Sequence, residues 1–226
     1  MADRCLLYYI TDRSHFRGDE SDRRRALLAK VCDAAGAGVD FIQLREKDLD
    51  TRELELLARD ALTVVRNSTA LRTENRELRT RLLVNSRTDV ALAAGADGVH
   101  LRADDISPAE VRRIWALCGA GASAREKPCI GISCHKPADV YRAQEQGADF
   151  AVFAPVFEKI SAPATQPAGL ATLQEACQAH IPVLALGGVT IENASSCLNA
   201  GAAGVAGIRL FQENRIEDVV RALRAL

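Results

Sequence analysis

Short apolar runs alternate with helical stretches along all 226 residues, which predicts an α/β fold: one domain, 1–226, closed as a (β/α)8 barrel. Two observations carry the prediction. The first is a repeat in which a helix end, a glycine and an apolar strand follow one another: Gly36-Ala37-Gly38-Val39-Asp40-Phe41, Gly95-Ala96-Asp97-Gly98-Val99, Gly147-Ala148-Asp149-Phe150 and Gly201-Ala202-Ala203-Gly204-Val205. The leading glycines are 59, 52 and 54 residues apart. That is too long for one strand plus helix and right for two, since a βαβ unit takes roughly 30 residues. Each leading glycine suits the left-handed position that ends a helix, because it has no Cβ to clash there.

The second observation is the count of elements, taken in order. Apolar runs at 6–10, 41–44, 82–84, 98–101, 129–132, 150–153, 182–186 and 203–208 read as strands. They lack strict alternation, as expected of strands covered on both faces in a parallel sheet. Helical stretches follow them at 22–35, 52–65, 89–94, 108–117, 138–146, 170–179, 191–200 and 217–226. An open doubly wound sheet is the competing architecture, but it usually needs a Gly-x-Gly-x-x-Gly turn after the first strand, and Thr11-Asp12-Arg13-Ser14 offers none. Two stretches read as insertions. One, around 67–81, is arginine-rich and fits either a solvated helix extension or an anion patch. The other, around 119–127, is rich in Gly, Ala and Ser.

Composition narrows the function. An apolar content of 48% is ample for a core, and 29 Lys plus Arg against 30 Asp plus Glu leave a net charge of −1. No overall positive field exists to hold nucleic acid, so any anion site is local. Seven cysteines without a Cys-x-x-Cys pair argue against a disulfide framework and a zinc site. No apolar run approaches 18 residues, which excludes a spanning helix, and no targeting segment is evident after Met-Ala-Asp-Arg. A cytoplasmic protein of small-molecule partners is expected, and a homo-oligomer is compatible with it.

Barrel enzymes place their chemistry at the C-terminal ends of the strands. In Phe41-Ile42-Gln43-Leu44-Arg45-Glu46-Lys47, alternation puts Gln43, Arg45 and Lys47 on one side and Ile42 and Leu44 on the other. With the apolar pair against the helices, the amide and both cations aim at the mouth. Arg45 and Lys47 stand roughly 6.6 Å apart along the strand, so two cations reach one extended anion. The bland alternative is a rim salt-bridged to Glu46 and Asp48. A second anion site is expected where Leu186-Gly187-Gly188-Val189-Thr190 meets Gly207-Ile208-Arg209, the region where barrels commonly hold phosphate.

Other strand ends bear Asn85, His100 with Asp104 and Asp105, and Ser133 with His135. Asp105 suits either a hard cation such as Mg2+ or a helix cap, with Ser107 the better-placed cap. His100 reads as a ligand or as a satisfied core histidine. His135 sits in a loop with a proton-transfer role open. His15 and His180 read as surface residues, and Cys134 as a small packed hydrophobe.

These residues resemble the thiamine-phosphate synthase and TenI family of TIM barrels. The likeness is carried by Tyr8-Tyr9-Ile10-Thr11-Asp12, Gln43-Leu44-Arg45-Glu46-Lys47, Val84-Asn85 leading into Asp89-Val90-Ala91-Leu92-Ala93, Ala96-Asp97-Gly98-Val99-His100-Leu101, Gly131-Ile132-Ser133-Cys134-His135, Ala154-Pro155-Val156-Phe157 and Gly187-Gly188-Val189. The resemblance implies an enzyme of thiamine biosynthesis that joins hydroxymethylpyrimidine diphosphate to a thiazole phosphate and releases diphosphate. It implies that Gln43, Arg45 and Lys47 hold the diphosphate, that Asn85 and His100 contact the pyrimidine, and that Asp105 serves Mg2+. Ser133 assists the diphosphate, and Gly188 with Ile208 and Arg209 receives the thiazole phosphate.

Two departures stand out. Ser86 occupies the place of an aspartate metal ligand, and Glu158-Lys159-Ile160-Ser161-Ala162 replaces a Thr-x-Thr-Lys loop, with Lys159 and Ser161 as candidate substitutes. The sister reaction, TenI-type tautomerisation of a thiazole carboxylate phosphate, needs neither diphosphate nor metal and uses a histidine at the position of His135. A catalytically silent phosphate-binding barrel is the remaining alternative.

Overall fold

The computed structural model describes residues 4–72, 79–118, 127–158 and 166–226. Eight parallel strands close in sequence order into a barrel: β1 (Leu6–Ile10), β2 (Phe41–Leu44), β3 (Arg81–Asn85), β4 (Gly98–Leu101), β5 (Cys129–Cys134), β6 (Phe150–Phe153), β7 (Val183–Ala185) and β8 (Gly204–Gly207), with β8 pairing back onto β1. The helices are α1 (Glu20–Ala37), α2 (Thr51–Arg72), α3 (Thr88–Ala94), α4 (Pro108–Cys118), α5 (Pro137–Glu145), α6 (Gly169–Ala176), α7 (Ala194–Asn199), α8 (Arg209–Gln212) and α9 (Ile216–Arg224). All eight expected strands and helices are present, with ends shifted by a few residues and α2 eight residues longer than expected. Two short pieces were not expected: α8 and a 3-10 turn at Arg13–His15. Both sit at the strand C-terminal rim, where loops rather than periodic segments decide the backbone.

Helix spacing accounts for the outer layer. Leu27, Val31, Ala34 and Ala35 of α1, and Ile216, Val219 and Leu223 of α9, fall on one stripe of their helices and are buried. They pack on outward strand residues such as Leu7, Ile42, Leu44, Val84 and Val205. Alternate strand residues face inward, where Tyr8, Ile10, Leu83, Phe150, Val152, Leu184 and Ala206 form a separate cluster. Its centre is aromatic: Phe41 stacks on Phe150 with centroids 4.8 Å apart, and Tyr8 meets both rings edge-on at 5.9 and 5.4 Å. A Cβ on Gly131 would lie 2.4 Å from the Phe150 ring and 3.0 Å from His100 Nδ1, so β5 gives up a side chain to seat both rings.

Tyr8 and His100 join this plug to the site above. The tyrosine hydroxyl lies 3.1 Å from His100 Nδ1, and Nε2 lies 2.9 Å from Ser133 Oγ. His100 is 2% exposed, and burial pushes its imidazole pKa down to about 3. It is therefore a neutral, satisfied core histidine.

The sequence repeat has its cause at the opposite end of the barrel. Asp40, Asp97 and Asp149, each lying just before an even strand, accept hydrogen bonds from the backbone N–H of Leu7, Leu82 and Ile130 at the start of the preceding odd strand, at 2.8, 2.8 and 2.7 Å. Ala203 stands at the fourth place, so the device is missing there. Gly95, Gly147 and Gly201 adopt the expected left-handed conformation. In the first repeat the helix runs on past Gly36 and ends at Gly38, with φ 87°, which corrects the expected terminator. Of the arginine-rich stretch expected as an insertion at 67–81, residues up to Arg72 continue α2 as a helix extension and Arg81 opens β3, while 73–78 and most of the second insertion, 119–126, lie outside the described residues.

Two outcomes follow from this packing. Asp40 is also held by Arg4 and Arg224, so Asp40→Ala strips an acceptor from Leu7 and leaves Arg224 with only the Cys5 and Gly38 carbonyls. The expected cost is about 2–3 kcal/mol, or a Tm lower by roughly 5–10 °C, with steady-state kinetics unchanged because the opposite rim is untouched. For His100, the unfolded chain binds a proton below pH 6.5 and the folded chain only near 3. Stability therefore falls as pH drops through that window, by up to about 1.4 kcal/mol per pH unit. Between pH 6 and 4, urea unfolding of wild type should lose about 2 kcal/mol more than His100→Asn; parallel pH profiles would refute a neutral His100.

Candidate active site

The strand that carries the expected cations ends at Leu44, and the chain beyond it stays pinned by a buried ion pair. Glu46, its side chain 1% exposed, accepts from the Thr11 hydroxyl at 2.5 Å, from the Arg13 backbone N–H at 2.9 Å and from the Arg13 guanidinium at 3.3 Å. Arg13 donates further to Asp48 at 2.7 and 3.0 Å and to Glu20 at 2.8 Å. Thr11 Oγ1 in turn accepts from the backbone N–H of Arg45 at 3.0 Å. Glu46 and Asp48, the carboxylates offered by the bland rim reading, are thus bound to Arg13. Arg45 has only the Asp12 carboxylate, at 4.0 Å, and Lys47 has no carboxylate partner among the described residues. The Lys47 ammonium is held below its ordinary pKa, first by Arg45, then by partial burial and by Arg102. Three cations therefore share one side of the mouth.

Beneath them lies a hydrogen-bonded floor. Gln43, buried, donates through Nε2 to Asn85 Oδ1 at 2.8 Å, and Asn85 Nδ2 donates to Ser86 Oγ at 3.2 Å. Ser86 holds φ 59°, a left-handed value that Asp or Asn accepts more easily than Ser. Ser133 Oγ is held by His100. The floor is thus Gln43, Asn85 and Ser133, with His100 one bond deeper.

His135 lies past the end of β5, exposed as expected. Its Nδ1 lies 2.7 Å from the Ala154 carbonyl oxygen, which can only accept, so Nδ1 carries the proton and Nε2 keeps a free lone pair. Its backbone N–H is tied to Asp139 at 3.2 Å. Cys134 beside it is buried, and burial pushes its thiol up to about 12, so it packs as an inert hydrophobe. All seven cysteines are free, and His15 and His180 are exposed.

Across the rim, Gly188 has φ 65°, and a Cβ there would lie 2.4 Å from the Glu158 carbonyl oxygen, so the turn admits only glycine without rebuilding. Asn193 fixes this turn, donating to the Gly188 carbonyl at 2.9 Å and accepting from the Thr190 N–H at 2.8 Å. Ile208 and Arg209 begin α8, and Gln212 of that helix donates to the Asp12 carbonyl at 2.9 Å, closing the rim between β8 and β1. Arg209 has no carboxylate partner among the described residues. Lys159 and Ser161 lie outside the described residues.

Asp105 accepts from the Arg102 backbone N–H at 2.8 Å and from its guanidinium at 3.2 and 3.4 Å. Capping of α4 belongs instead to Ser107, whose Oγ accepts from the Glu110 N–H at 3.3 Å. Two cavities adjoin this loop, both outside the barrel wall: one of about 130 Å3 between α4 and α5, bordered by Arg102, Asp105 and Ser133, and one of about 890 Å3 between α3 and α4, edged by Ser86 and Asp105. Among the described residues no three His, Cys, Asp or Glu side chains gather as a metal centre, and no helix is long and apolar enough to cross a membrane. Arg13 and Arg102 are the rim residues that sequence reasoning missed. A signal for the first existed in two carboxylates, Glu46 and Asp48, crowded beside two cations.

Residues 7–211 match the family described as thiamine monophosphate synthase. The thiamine-phosphate synthase of Syntrophomonas wolfei is 39% identical, the match covering 97% of this chain and 95% of that one. That of Methanoculleus marisnigri is 37% identical over 96% and 93%. Among solved structures, a thiamine phosphate pyrophosphorylase from Pyrococcus furiosus superposes with a TM-score of 0.76 at 26% identity, covering 99% of this chain and 95% of its own. With its closed eight-stranded barrel, its cationic rim on β2 and a match across nearly its whole length, this chain belongs to the thiamine monophosphate synthase family.

Proposed function

We propose that the protein is a thiamine-phosphate synthase, joining hydroxymethylpyrimidine diphosphate to a thiazole phosphate with release of diphosphate. The observation that carries this reading is the release of Arg45 and Lys47 from Glu46 and Asp48, which Arg13 takes up instead. Two rim cations beside one another are costly unless an anion is to lie between them. In this reading they grip the diphosphate and stabilise the negative charge that grows on it as the carbon–oxygen bond breaks. The thiazole nitrogen then supplies the electron pair to the pyrimidine methylene carbon. Asn85, with the neutral His100 beneath, orients the pyrimidine end, while Gln43 and Ser133, hydrogen-bonded to Asn85 and His100, assist at the diphosphate. The turn at Gly188, with Ile208 and Arg209, receives the thiazole phosphate through backbone N–H groups and a guanidinium.

Magnesium is what the resemblance implies for this reaction, with Asp105 as ligand. The donor set does not fit a magnesium ion held by the protein: Ser86 contributes no charge, and the Asp105 carboxylate is already bonded to Arg102. The chemistry above is therefore assigned to the chain's own cations.

One observation favours a second reading, thiazole tautomerisation: the Ala154 carbonyl fixes His135 with Nε2 free to take and return a proton. The two readings rank the variants oppositely. For the synthase, Arg45→Ala should lower kcat/KM for thiamine phosphate formation roughly 100-fold or more, while His135→Ala stays within about fivefold. The reverse order on the thiazole carboxylate tautomer alone would transfer the assignment to the tautomerase, and unchanged turnover in both variants would remove it.

A further inference from the structure

Arg102 follows directly on β4, where the chain turns at once through Asp105, two residues beyond the inward-facing His100. It borders, at the tops of β4 and β5, the cavity of about 130 Å3 that runs outward between α4 and α5, and it is near enough to Lys47 to act on its charge. Its guanidinium is gripped from one side only. Nε and one amino nitrogen meet Asp105, Nε lies 3.5 Å from Asp104, and the other amino nitrogen has no partner among the described residues. The pair is lopsided in depth: the Asp105 side chain is 11% exposed, that of Arg102 56%. The carboxylate is the deeper partner and leaves the cation's head exposed, within electrostatic reach of Lys47.

This geometry answers the poor fit for a protein-held metal. Ser86 stands where the resemblance places one of the two carboxylates that would chelate it, and the other, Asp105, already carries a positive group of the chain itself. We propose that Arg102 is a diphosphate-binding residue that supplies, from within the chain, the positive charge a carboxylate-held metal would supply, with Asp105 as its positioning residue. The proposal rests on the synthase reading and adds to it a substrate contact and an independence from protein-bound metal. Planar N–H donors suit the terminal oxygens of a diphosphate, and Arg102 completes with Arg45 and Lys47 a cationic arc from β2 to β4.

The test is calorimetric titration with inorganic diphosphate in EDTA, on the full chain. Wild type should bind it without metal. Arg102→Ala should weaken binding about 10- to 100-fold, and Arg102→Lys should recover part of the loss. Mn2+ alone, followed by its electron spin resonance signal, should find no tight site in wild type. The double variant Ser86→Asp with Arg102→Ala frees one carboxylate and adds another, so it should gain a single site at least about tenfold tighter. Equal diphosphate affinity of wild type and Arg102→Ala in EDTA, beside normal wild-type turnover, would overturn the role of Arg102 and leave the synthase reading intact. A tight Mn2+ site in wild type that the double variant does not improve would overturn it too. Failure of wild type to bind diphosphate with or without Mg2+ would overturn both.

Discussion

The placement of the cations that follow β2 depends on the contact between Glu46 and Arg13. A carboxylate almost without solvent is tolerable only when its lone pairs are met, and here a hydroxyl, a backbone N–H and a guanidinium meet them. The partners come from the loop after β1, so the bond ties two neighbouring strand ends into one unit. Its consequence for chemistry follows from alternation. Ile42, Leu44 and Glu46 share the face turned to the helices; with Glu46 anchored there, Gln43, Arg45 and Lys47 have only the opposite face. A charge buried on the outer side thus aims two charges at the inner side, beyond the last ladder hydrogen bond of β2.

The two ends of the barrel divide their tasks. At the N-terminal end, Asp40, Asp97 and Asp149 each bind the N–H that opens an odd strand, a repeated device for stability. At the C-terminal end nothing repeats: the rim carries a buried ion pair, an arginine on an aspartate, a histidine on a carbonyl and a glycine turn. This difference explains what could be read from the sequence. The glycine-aspartate spacing recurs because the same backbone problem recurs every two strands, so fold and strand order were legible, as was the inward face of β2. Arg13 and Arg102 were not, because a charge pair between distant loops leaves no periodicity. Neither was the choice between Gly36 and Gly38, since both glycines tolerate the left-handed cap and helix packing decides between them. The departure at Ser86 was visible as a missing carboxylate; that Asp105 is held by Arg102 required the loop's geometry.

Between charged rim and aromatic plug lies a layer without charge. His100 is neutral, and burial raises the Tyr8 hydroxyl well above its ordinary pKa, so it stays protonated. A charged group here would compete with the rim for an incoming anion, or draw it down into the core. Neutral donors and acceptors instead leave the field to the residues above. The order of the layers, apolar then polar then ionic, follows each strand outward: Phe41, Gln43, Arg45 on β2 and Leu83, Asn85 on β3.

That field is local by construction. The chain carries a net charge of −1, yet around the mouth stand Arg45, Lys47, Arg102 and Arg209 against Asp12, Asp104 and Asp105. Where carboxylates do approach a cation they do so from its side or from beneath, at 4.0 Å for Asp12 and from a nearly buried position for Asp105. Such pairing holds long side chains in place at low entropic cost on binding, and a ligand that brings stronger acceptors meets donors already aimed. A surplus of about one positive charge is too small to hold a polymer of phosphates, whose binding needs many released counterions. It suits one or two compact anions seated within hydrogen-bonding reach.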